Sequence, residues 1–97
     1  MWMTDVEGQV AQERWAEIGE VFAREPRPAA LRATFLLQSA SDPTLWRTIG
    51  LWASREEFEA YRQSVAVPGG LAMFRAVGAE PAVSQFDVKD HYSVFGA

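Results

Sequence analysis

The side chains able to do chemistry in this sequence are few, and their spacing narrows what they could do. Trp46 and Trp52 fall at one parity of an alternating run, with Gly50 between them. Two indoles flanking a missing side chain leave room for a flat molecule, although a glycine there equally suits a bulge or a close helix approach. Tyr61 with Arg62 and Phe74 with Arg75 follow. They offer a phenol that could orient a ligand, and guanidiniums that could hold an oxyanion or simply meet water. Trp46, Trp52, Tyr61, Arg62, Phe74 and Arg75 are therefore the candidate ligand-binding residues, and none identifies itself as the catalytic group. His91, the single histidine, could act as a general base. It equally suits a surface or subunit contact. Glu56 and Glu57 sit at an expected helix start, where the helix dipole accounts for them.

Absences narrow the chemistry further. The sequence has no cysteine and, read through, no asparagine. Disulfides, thiolate nucleophiles and cysteine-ligated metals are excluded, and a histidine-based zinc site would have one imidazole. Net charge is −4 over 97 residues. The bases, from Arg14 to Lys89, never form a run, so a phosphate-tracking surface and a nucleic-acid partner are not expected. Apolar stretches fall far short of the ~20 residues that span a bilayer, and the first residues do not read as a secretory leader. A cytoplasmic protein with no membrane partner is the expectation, and 1–97 is read as one domain.

Several elements must position these groups. "MWMTDVE" reads as a short first strand with Gly8 as its turn. From Gln9 to Arg24, Ala11, Trp15, Ile18 and Phe22 recur at helical spacing, and "EPRP" at Glu25–Pro28 ends that helix. Leu31–Ser39 and Thr44–Ala53 alternate like strands. In the first, Leu31, Ala33, Phe35 and Leu37 oppose Arg32, Thr34, Leu36 and Gln38. "ASDP" between the two supplies turn chemistry. Ser54 and Glu57 form an S-x-x-E signature, so a helix should begin at Arg55 with Phe58, Tyr61 and Val65 inward. Pro68-Gly69-Gly70 breaks it. A shorter helix carrying Leu71, Phe74 and Val77 should stop at Gly78, and Ala82–Lys89 should be the last strand.

The order (β)αββα(α)β is that of an α+β, ferredoxin-like antiparallel sheet with helices on one face. Both faces of the hairpin carry bulky apolar groups, and helices can cover only one. A second copy against the other face is the economical solution, so a sheet-to-sheet homodimer is expected. Tyr92 and Phe95 in the "HYSVF" tail are candidates to pack across it.

"DPTLWRTIGLWASREEFEAYRQS", continued by "LAMFRAVGAEPAVSQFDV", resembles the antibiotic-biosynthesis-monooxygenase-type proteins, which form dimeric α/β barrels. The resemblance covers about Ala30 to Val88. It implies that Trp52, at the strand end, lines a cleft between helices and sheet, and that Phe58 and Tyr61 close it. It also implies oxygenation of electron-rich aromatics without metal or flavin, hence no cofactor. Haem-degrading members use a histidine in the second helical segment and an asparagine near the first strand. Ser64–Gly78 contains no histidine here, so haem is not expected. The missing asparagine also removes a polar group that oxygenating members use, leaving Thr48, Tyr61, Arg62 and Arg75 as possible substitutes.

Two functions follow. In the first, the chain is a cofactor-independent monooxygenase for a polyketide- or quinol-like aromatic. The substrate itself is the reductant, and the protein supplies a dry cavity with one or two hydrogen-bond donors. In the second, it is a non-catalytic ligand-binding or scaffold dimer whose cleft is closed by Phe22, Phe58 and Phe74. A cavity of about 300 Å³ or more beside Trp52, with an inward polar group, separates them.

Overall fold

Strand β1 (Trp2–Gln9) has hydrogen-bonded neighbours on both sides in a computed structural model that describes residues 1–92. A 3-10 turn (Gln12–Arg14) and helix α1 (Trp15–Arg24) follow, then β2 (Leu31–Gln38) and β3 (Leu45–Trp52). Helices α2 (Arg55–Ser64) and α3 (Gly69–Ala76) precede β4 (Ala82–Asp87). The sheet order is β2-β3-β1-β4, antiparallel throughout. This is the α+β ferredoxin-like arrangement that the element order implies. Phe95 lies outside the described residues, while Tyr92 is exposed.

Alternation assigns the two faces. Thr4, Val6, Gly8, Trp46, Thr48, Gly50 and Trp52 point toward the helices. There Val10, Ile18 and Phe74 are the most deeply buried side chains, joined by Met73, Val77 and Ala79. Three expectations change in detail. Gly8 is not a turn but an interior position of β1. A Cβ on it would lie 3.0 Å from the Phe74 ring, so glycine lets α3 settle onto the sheet. The first helix starts later than Gln9, because Gln9 pairs with Leu45 and the Val10 N–H bonds Thr44 O at 2.8 Å. The ladder holds the chain extended there. A register shift between Leu31 and Ala33 turns Leu31 toward the helices, away from the row of Ala33, Phe35 and Leu37.

Turns and caps follow local chemistry. Asp42 Oδ1 accepts from the Thr44 hydroxyl at 2.7 Å and from its backbone N–H at 3.3 Å. The Ser54 hydroxyl accepts from the Glu57 N–H at 3.1 Å, which caps α2. Gly78, at φ +76°, ends the α3 segment in the left-handed conformation that favours glycine.

The outer face carries Met3, Phe35, Leu37, Ile49, Leu51 and Phe86, of which Phe35 and Phe86 are 50% and 49% exposed. An ion cluster interrupts this apolar field. Arg47 Nη2 donates to Glu7 Oε2 at 2.6 Å, and its Nε lies 3.2 Å from Asp5 Oδ1, which gains no aligned hydrogen bond. Burial raises the Asp5 pKa above its ordinary value, against the lowering pull of Arg47 and with a further push from Glu7. A carboxyl raised on folding contributes stability that is complete below its unfolded pKa and is lost as pH rises through the folded one. Asp5→Asn is therefore expected to gain stability relative to wild type as pH climbs through the acidic range. Urea unfolding at a series of pH values reads this as a widening gap. A gap that narrows would contradict it.

Candidate functional site

A cavity of about 350 Å³ opens between the sheet and the helical roof. One cross-strand line crosses its floor: Gln85 of β4 pairs with Thr4 of β1, Thr4 with Gly50 of β3, and Gly50 with Thr34 of β2. An amide, a hydroxyl, a gap and a second hydroxyl thus lie in sequence at strand spacings of about 4.8 Å. The next line along adds Val83, Val6 and buried Thr48. Apart from Gln85 these are short side chains. They keep the floor low while offering neutral hydrogen-bonding groups.

Trp52 forms the end wall. Its ring stacks on Tyr61 with centroids 5.0 Å apart and meets Phe58 edge-on at 5.0 Å. Its Nε1–H donates to Thr4 Oγ1 at 3.0 Å, which fixes the indole plane. Gly50 explains how that bond fits: a Cβ there would lie 2.8 Å from Thr4 Oγ1 and 2.9 Å from Trp52 Nε1. The space beside Gly50 is thus partly taken by the protein's own hydrogen bond, although Gly50 still lines the cavity. Gly50→Ala is expected to break that bond and cost about 1–3 kcal/mol through overpacking, read by urea unfolding. An unchanged midpoint would contradict the close fit.

The roof is held just as closely. Tyr61 Oη accepts from the Gly69 N–H at 3.0 Å, so the phenol anchors the start of α3 with its own hydrogen free of that bond. A Cβ on Gly70 would lie 2.9 Å from Val6 Cγ2, so glycine brings α3 down onto the sheet. The mouth is the Glu25–Pro28 segment. Arg27 Nη2 donates to Phe22 O at 2.8 Å and its Nη1 to Glu25 O at 3.0 Å, while its guanidinium lies 4.6 Å over the Phe22 ring. Arg27 thereby caps the C-terminus of α1.

Of the six sequence candidates, the structure brings Trp52, Tyr61 and Arg62 to the cavity and leaves three elsewhere. Trp46 does face the helices, but six residues of strand separate the two indoles by about 20 Å, too far to flank one cavity. Its ring packs against Trp15 at 6.2 Å in the other half of the core. Phe74 is fully buried as a core side chain, and Arg75, one position on, is exposed. His91 is exposed and lines no part of the cavity. Phe22 and Phe58 edge the space without filling it. Sequence reasoning named Thr48 but missed Thr4, Thr34, Gln85 and Glu25. For Thr4, Thr34 and Gln85 the strand parity was visible and the register that aligns them was not, while Glu25 lies at the end of α1.

Among the described residues, no group of three His, Cys, Asp or Glu side chains is placed to hold a metal. No helix there is long and apolar enough to cross a membrane. The sequence matches no protein-family model and no curated protein. Solved structures do match. A protein from Deinococcus radiodurans, provisionally named an antibiotic biosynthesis monooxygenase, is 10% identical with a TM-score of 0.70, over 99% of this chain and all of that one. A similarly named protein from Nitrosomonas europaea is 17% identical with a TM-score of 0.67, over 93% of this chain and 100% of that one. SnoaB from Streptomyces nogalater, a cofactor-independent oxygenase seen in a mutant form, is 18% identical with a TM-score of 0.58, over 93% and 94%. The chain therefore has the fold of the antibiotic-biosynthesis-monooxygenase-type proteins along nearly its whole length.

Proposed function

We propose that this chain is a cofactor-independent monooxygenase acting on a small polyketide- or quinol-like aromatic in the cavity beside Trp52. The observation that carries the reading is the cavity itself: about 350 Å³ of largely apolar space with a neutral polar floor and an indole end wall. The volume suits a flat molecule of two or three fused rings. The fold shared with SnoaB supports the same reading. Phe22 and Phe58 leave the cleft open, which weighs against a purely structural scaffold.

In such a reaction the substrate is the reductant. With an anthrone, the methylene group loses a proton, the resulting anion passes electrons to O₂, and the products are a carbonyl and one water. The protein holds the ring against Trp52, keeps water away, and offers Thr4, Thr34, Thr48 and Tyr61 to the substrate oxygens. Arg62, at the edge, adds positive charge near a developing anion. A cytoplasmic setting, and a second copy of the chain covering Phe35, Leu37 and Phe86 on the outer face, complete the proposal. Incubation with anthrone under isotopically labelled O₂ tests it. One labelled oxygen in the quinone product, found without added metal or flavin, is expected. No product above the protein-free rate would sink the reading.

A further inference from the structure

The oxygenation just described needs a group that removes a proton, and the cavity wall contains one that the sequence did not suggest. The ionisable residues lining it are Glu25, Arg27, Tyr61 and Arg62. The guanidiniums of Arg27 and Arg62 are donors with no acceptor atom, and the Tyr61 hydroxyl, whose oxygen already accepts from the Gly69 N–H, is placed as a donor toward the cavity. Threonine hydroxyls and the Gln85 amide are not bases. A carboxylate is the remaining proton acceptor, and among the described residues Glu25 supplies the only one lining the cavity.

Its placement suits the task. The backbone is fixed at the end of α1: the Glu25 N–H bonds Val21 O at 3.1 Å and Phe22 O at 3.3 Å, and its carbonyl takes the Arg27 guanidinium. Pro26 and Pro28 restrict the chain that follows. The carboxylate reaches across the mouth toward α3, where a Cβ on Gly69 would lie 3.0 Å from Glu25 Oε2 and 3.4 Å from Tyr61 Oη. A proton donor and a proton acceptor therefore face the same gap, which glycine keeps open. Glu25 is half-buried while Pro26 and Arg27 beside it are exposed, so a proton taken from the cavity has a short way out to water.

We infer that Glu25 is the proton acceptor of this site. A substrate C–H or O–H bond breaks, an Oε–H bond forms on Glu25, and the electron pair stays on the aromatic as an enolate or phenolate that the Tyr61 hydroxyl can meet. The step is complete without O₂. It rests on the reading of the cavity as a site for a protic aromatic, yet it can be tested apart from oxygenation.

The test is anaerobic deuterium exchange at the anthrone methylene, followed by NMR in D₂O, for wild type and Glu25→Gln. Anthrone binding to both is measured alongside by tryptophan fluorescence. Exchange accelerated by wild type and slowed at least about 10²-fold in the glutamine variant, with binding unchanged, is the expected result. Exchange equal in the two proteins, or no acceleration by wild type, overturns the inference whatever oxygen uptake shows. A parallel loss of binding in Glu25→Gln overturns it too, since the carboxylate would then only shape the mouth. Glu25-dependent exchange without oxygen uptake would instead leave the base assigned and remove the oxygenase reading.

Discussion

Trp52→Ala is expected to remove aromatic-ligand binding and to lower the stability of the fold by about 3–5 kcal/mol, the usual cost of truncating a buried aromatic to alanine. Trp52 is buried to 6% exposure and touches three groups that nothing else brings together. Its face stacks on Tyr61, its edge meets Phe58, and its N–H holds Thr4. Truncation opens the end wall, frees the phenol that anchors α3, and leaves the Thr4 hydroxyl without its donor. Against a net stability of ~5–15 kcal/mol for a small domain, this is a large fraction. Trp52→Phe separates the two effects: it keeps a ring against Tyr61 and loses only the indole N–H and part of the wall. Urea unfolding and a hydroquinone titration together should show alanine failing both assays and phenylalanine retaining most stability with weaker binding. Unchanged ligand affinity in both variants would mean that the wall is packing alone.

Phe35→Asp should have the largest effect on assembly. Phe35 is half exposed in the single chain, so its replacement costs the subunit little. In the proposed sheet-to-sheet dimer the same change places a carboxylate in the apolar interface twice, because two-fold symmetry repeats every substitution. An unpaired buried charge costs several kcal/mol, so the dimer is expected to weaken on the order of 10³-fold. Light scattering across a dilution series reads the shift from dimer to monomer. A wild type that runs as a monomer, or a variant that dimerises equally well, would contradict the second-copy assignment. Arg47 with Glu7 and Asp5 would lie under that interface, so the raised Asp5 pKa adds a sensitivity to pH in the acidic range.

What the sequence revealed divides along a physical line. Alternation in Thr44–Ala53, the Ser54–Glu57 cap and the glycines after Pro68 are local signals. The first two led to the right elements, and with them to the sheet and its one-sided roof, whereas the glycines after Pro68, read as a helix break, instead open α3, α2 having already ended at Ser64. The site depends on non-local register. That Gln85, Thr4, Gly50 and Thr34 share one line follows from β1 pairing with both β3 and β4, which no window of sequence contains. Glu25 was masked by its setting. In "EPRP" it reads as the end of a helix, and only the approach of Gly69 reveals what its carboxylate faces. Trp46 was misjudged for a simpler reason: parity says which way a side chain points, not how far along the strand it lies. The Leu31 bulge shows the limit of parity itself, since one register shift reversed that residue's face.

The four tryptophans offer the most direct measurement on the cavity. Their indole N–H groups give separate NMR signals, and the structure sorts them. Trp52 donates to Thr4 on the cavity floor and Trp2 to Gln85 beside it, whereas Trp15 bonds Val10 O and Trp46 lies with it in the far core. Titration with a naphthohydroquinone under anaerobic conditions should move the Trp52 signal most, Trp2 next, and leave Trp15 and Trp46 in place. A Trp52 signal that stays fixed while the ligand saturates, or a response centred on Trp15 and Trp46, would show that an aromatic ligand does not enter over the threonine floor.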